Sequence, residues 1–108
     1  MHDWQHTVAA AAGDGSLTRA AVQEVLGEMA RRAPGRSVEV RIPPYGATQI
    51  IAGPPHRRGT PKATVEMTAE TLFALAAGSL AWPDAVAAGW VLASGERTDL
   101  AGLFPLVR

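Results

Sequence analysis

Residues 65–104 read VEMTAETLFALAAGSLAWPDAVAAGWVLASGERTDLAGLF, and their punctuation leaves the chain little conformational choice. Helix starts and stops follow one another with almost no spacer. Thr68 stands where an N-cap is needed, since its hydroxyl can accept from an orphan N–H of the first turn. Glu70 lies near the positive end of that helix dipole. Leu72, Phe73, Leu75 and Ala76 form an apolar stripe, and Gly78 supplies the left-handed C-cap. Pro83 suits the first turn of a second, short helix, on which Val86 faces inward and which Gly89 ends. Residues 90–94 read as a short strand, and Gly95 turns the chain. Thr98 can cap a last helix with Leu100, Leu103 and Phe104 on its apolar face, stopped by Pro105.

The preceding part of the chain is equally readable. Leu17, Ala21, Val22, Val25, Leu26 and Met29 recur at helical spacing, which predicts a helix over residues 18–33. Ser16 or Thr18 can cap it, Arg31 and Arg32 suit its last turn, and Pro34-Gly35 ends it. Val38, Val40 and Ile42 alternate with Glu39 and Arg41, so residues 37–42 form a strand with one wet face. Pro43-Pro44-Tyr45-Gly46 turns the chain into a second strand over residues 47–52. A turn that short makes the pair antiparallel. Residues 53–62 (GPPHRRGTPK) can only be a loop, and residues 63–67 form a third strand. The expected fold class is α+β, a mainly antiparallel sheet of four to five strands with helices packed on one face.

At 108 residues the chain is one domain of ordinary size. Residues 17–108 form that domain, preceded by a flexible segment over residues 1–16 that includes the break Gly13-Asp14-Gly15-Ser16. Ten basic and ten acidic residues leave no formal charge. That argues against a nucleic-acid partner, which calls for a basic excess. The absence of cysteine excludes disulfides and thiolate metal sites. No apolar run approaches the roughly 20 residues needed to span a bilayer. The first residues lack the cationic start of a signal peptide, and the expected location is cytoplasmic.

No catalytic group emerges. Ser94-Gly95 lacks the nucleophile-elbow pattern, and no phosphate loop, dinucleotide fingerprint or zinc-protease motif occurs. His56 has no orienting carboxylate nearby in sequence. His2, Asp3 and His6 have helical metal-ligand spacing but sit in a terminal segment, so neither metal nor cofactor is expected. The expectation is a protein that is not an enzyme.

Two features point instead to binding. Large apolar side chains concentrate in the last third of the chain with Ala and Gly between them: Leu72, Phe73, Leu75, Trp82, Val86, Trp90, Leu92, Leu100, Leu103 and Phe104. They are either the core of a small domain or the lining of an apolar pocket. Trp82 and Trp90 carry ring N–H groups that suit a pocket rim. In the loop, His56, Arg57, Arg58 and Lys62 cluster positive charge. They are either solvated or placed to meet a carboxylate or phosphate, with Arg57 and Arg58 as the head-group contacts.

The run MTAETLFALAAGSLAWPDAVAAGWVLASG resembles the sterol carrier protein 2 (SCP-2) superfamily. The segment APGRSVEVRIPPYGATQIIAGPPHRRGTPKATVEM is similar to its bacterial, largely actinobacterial, branch. The resemblance implies an SCP-2-like fold with a hydrophobic tunnel between sheet and helices, which the last helix helps to close. It also implies a non-catalytic carrier of a hydrophobic small molecule: a fatty acid, an acyl-CoA ester or a sterol-like lipid. The sequence has four clear strands where the family usually has five. The alternative reading is a structural or interaction module of the same fold, with a filled core and an apolar edge that forms a homodimer or docks on a partner enzyme.

Overall fold

The computed structural model describes residues 15–53 and 63–106. Helix α1 (Gly15–Arg32) is followed by strands β1 (Val38–Ile42), β2 (Gly46–Ile50) and β3 (Ala63–Glu66). Helices α2 (Ala69–Ala77) and α3 (Trp82–Ala87) and strand β4 (Leu92–Ser94) complete the chain. The sheet order is β2-β1-β3-β4. β1 pairs antiparallel with β2, and β3 pairs antiparallel with β4. The central β1–β3 pair is parallel, so the sheet is mixed. This follows from the connectivity: β3 runs opposite to β2 but lies on the other side of β1.

The alternation in β1 sorts its two faces. Val38, Val40 and Ile42 are fully buried with Ile50 of β2 and Val65 of β3. From α1, Val22, Val25, Leu26 and Met29 pack into the same core, and Leu72, Leu75 and Ala76 do so from α2. Leu17, expected in the α1 stripe, is exposed instead. It lies in the first turn, before the helix meets the sheet. The open sheet face carries Glu39, Arg41, Thr64 and Glu66, where Arg41 Nε donates to Glu39 Oε2 at 2.7 Å.

The caps of α2 read from sequence are in place, whereas α1 begins at Gly15, so Ser16 and Thr18 lie within it rather than cap it. Thr68 Oγ1 accepts from the Thr71 N–H at 3.2 Å, and Gly78 ends α2 at φ 85°. The expected last helix is not formed. Residues 101–103 make a single turn in which the Leu103 N–H donates to the Leu100 carbonyl. Between Thr98 and Pro105 there is room for barely two turns, with Gly102 in the middle. A helix that short does not repay its nucleation. The segment is held by tertiary contacts instead. The Leu106 N–H donates to the Ala76 carbonyl, Arg32 Nη2 donates to the Leu106 carbonyl, and Phe104 stacks on Trp82 at 6.1 Å between centroids.

Arg32 is itself fixed by Glu28, which is buried and also bonded to Arg31. Hydrogen bonds from Arg31 and then Arg32 hold the Glu28 carboxyl below its ordinary range, against the opposing effect of burial. Just beyond the same end of α1, Gly35 packs against the backbone of Ile51, leaving no room for a Cβ. No described helix is long and apolar enough to cross a membrane.

Candidate functional site

An open groove of about 790 Å³ lies between α2, the end of α3 and the β3–β4 edge. Its residues come from six places. Glu66 ends β3 and Met67 follows it, Thr68 caps α2, and Glu70, Thr71 and Ala74 are on one side of α2. Leu80 lies in the α2–α3 link, Gly89 and Trp90 follow α3, and Leu92 opens β4; Pro43 closes the list from the β1–β2 turn.

The local backbone explains how Trp90 arrives there. Gly89 takes φ 78°, a left-handed conformation that a side chain would strain. The Trp90 N–H then donates to the Ala85 carbonyl at 3.0 Å, which fixes the exit from α3. From that point the chain is extended, and successive side chains alternate. Val91 is buried beneath, while Trp90 and Leu92 are 55% and 65% exposed. Leu92 is the register partner of Glu66, which puts the two side chains on one face of the sheet.

The groove is thus apolar at Trp90, Leu92, Leu80 and Met67 and charged at Glu66 and Glu70. No ion pair to either carboxylate is found among the described residues. The nearest cation in register, Arg41, gives its guanidinium to Glu39. Thr68 and Thr71 share a hydrogen bond of 3.1 Å between hydroxyls. Among the described residues no buried side-chain polar atom lacks a partner, and no cluster suited to a metal occurs.

The structure distributes the ten apolar candidates among three environments. Leu72, Leu75, Trp82 and Leu100 are buried in the core. Phe73, Leu103 and Phe104 are half-buried against it. Val86, Trp90 and Leu92 are exposed, and of these Trp90 and Leu92 line the groove. The loop candidates His56, Arg57, Arg58 and Lys62 lie outside the described residues, as do His2, Asp3 and His6.

Sequence reasoning passed over Glu66, Glu70, Thr71 and Leu80. The signal was present in the strand period: Glu66 occupies an outward position of β3, and Leu92 an outward position of β4. A search weighted towards large apolar residues does not select such positions.

The groove sits on a fold whose sequence is matched, over residues 14–106, by the family model described as "Bacterial SCP ortholog". The chain belongs to that family. The resemblance to sterol carrier proteins read from the C-terminal pattern is therefore confirmed over nearly the whole described region. Comparison with curated proteins yields no match. Membership of a sterol carrier protein-like family favours a lipid-binding carrier role, and it directs attention to the apolar groove rather than to any reactive group.

Proposed function

We propose that this bacterial sterol carrier protein relative is a non-catalytic carrier for a hydrophobic small molecule, held in the groove between α2 and the Trp90–Leu92 segment. The observation that carries this reading is the exposure of Trp90 and Leu92 side by side on a groove of about 790 Å³. Large apolar side chains left in water cost free energy that a ligand regains by covering them. A volume in the range of small-molecule sites suits one alkyl chain or one fused-ring lipid. The site is a groove beside the core, not a tunnel through it. Leu72, Leu75 and Leu100 fill the space between sheet and helices in this state. Phe73, Leu103 and Phe104 pack against that core and would line a deeper pocket only if the 100–106 segment moved. Arg57 and Arg58, which the sequence suggests as contacts for an anionic head group, lie outside the described residues.

Native mass spectrometry of freshly purified protein, with extraction and identification of lipid, tests the reading. A copurifying hydrophobic ligand, or binding of an added alkyl amphiphile that Trp90→Ala weakens, is the expected outcome. The absence of both would overturn it.

The second reading is an interaction module. It is favoured by the exposure of Val86 on α3 and of Trp90 and Leu92, the last of which opens the short edge strand β4. In that case size-exclusion chromatography would register a partner or a second copy, and amphiphiles would not bind.

A further inference from the structure

The charge of the groove says more about its occupant than its size does. Among the described residues, Glu66 and Glu70 are the only ionisable ones in its lining, and both are carboxylates. No arginine or lysine among the described residues lines it. Arg41 is the one cation in register with Glu66, and it is engaged by Glu39 at 2.7 Å. The N-terminus of α2 also meets the groove and on its own would favour an anion. That end is already answered, by Thr68, which accepts from the Thr71 N–H, and by Glu70 in the first turn. The partial charge of a helix end, about half a unit, does not balance two full carboxylates. Beside them stands the exposed indole of Trp90, the aromatic face that best attracts a cation. An aromatic ring, two carboxylates and an adjoining apolar strip through Leu92 and Leu80 form one surface with two chemistries.

We infer that the groove takes a single-chain amphiphile with a cationic head group, an amine or quaternary ammonium, whose alkyl chain lies along Trp90, Leu92 and Leu80. The inference rests on the carrier reading and adds to it the sign of the head group. It is the opposite sign to the one that Arg57 and Arg58 suggest from sequence. A fatty carboxylate in this groove would set its charge against Glu66 and Glu70, without a described cation to offset it. An ammonium there replaces part of its hydration with the carboxylates and the Trp90 ring.

The experiment compares three ligands of equal chain length below their micelle concentrations: decyltrimethylammonium, decyl glucoside and decanoate. Isothermal calorimetry at low salt reads each Kd. The expected order is the cation first, the neutral glucoside next and decanoate last, with roughly tenfold between the extremes. The variant Glu66→Gln/Glu70→Gln, checked for an unchanged circular dichroism spectrum, narrows that span to about twofold or less. Raising the salt narrows it too. Decanoate binding as tightly as the cation, or a cation preference untouched by the double variant, overturns the inference. In either case the carrier reading stands, because an alkyl chain still binds. If none of the three binds, the carrier reading falls and takes this inference with it.

Discussion

Ile51 has φ 68°, a conformation that a β-branched residue enters only when its neighbours hold it there. They do. Its N–H donates to the Ala33 carbonyl at 2.7 Å, and its carbonyl accepts from both the Ser37 N–H and the Ser37 hydroxyl. Gly35 makes this clasp between the end of α1 and the β1–β2 pair possible by having no Cβ to strike it. Gly35→Ala is therefore expected to destabilise the protein by about 3 kcal/mol or more, as overpacking added to a strained backbone does. Urea denaturation reads this directly, and a loss below about 0.5 kcal/mol, the size of an ordinary surface change, would contradict the clasp. Glu28 makes a second prediction at this scale. Arg31 and Arg32 lower its carboxyl below the ordinary 4.5, so the folded state binds that proton more weakly than the unfolded chain does. Its stabilising contribution is complete well above pH 4.5 and is lost as pH falls from there through the folded value. Thermal melts of wild type and Glu28→Gln should differ clearly at pH 7 and converge towards pH 3. A difference that stays constant over that range would mean that the ion pairs with Arg31 and Arg32 contribute nothing.

At the scale of elements, helix caps and strand periods were legible and the last helix was not. Thr68, Gly78 and Pro83 act through local rules, so a reader of the sequence can place α2 and α3 to within a few residues. Thr68→Ala should cost about 1 kcal/mol through loss of the cap, measured as a lowered midpoint in urea. Residues 98–105 carry the same kinds of signal, but the outcome depends on length and on distant partners. Ala76, Arg32 and Trp82 hold that segment as a turn, and nothing in its own sequence names them. The two described tryptophans separate in the same way. Sequence marks both Trp82 and Trp90 as large and amphipathic; only the packing puts one in the core and the other on the groove. Trp82→Ala should cost about 3–5 kcal/mol, as a buried aromatic stacked on Phe104 does. Trp90→Ala should cost under about 1 kcal/mol and yet weaken alkyl-ligand binding severalfold. Equal losses of stability in the two variants would show that Trp90 is core in solution.

For the whole molecule, sequence settled the fold class, because each of its elements is announced locally. The parallel β1–β3 pairing was less accessible. It depends on which side of β1 the third strand chooses, a choice made by the packing of α1 and α2 rather than by any strand. The site was the least legible part. Large apolar residues were visible, but most of those named are needed to fill a small core, as expected for a domain of this length. What remains outside are Trp90 and Leu92, and of the carboxylates beside them the sequence marks Glu70 only as a partner of the helix dipole and Glu66 not at all. The central claim is that a ligand binds there, next to a filled core. The most direct test follows the two described indole N–H signals by two-dimensional NMR while decyltrimethylammonium is added below its micelle concentration. The Trp90 signal should shift progressively to saturation, together with the backbone amides of Thr71, Ala74 and Leu80, while the Trp82 signal stays in place. A shift of Trp82 with Trp90 fixed, or no saturable shift at either, would contradict the account.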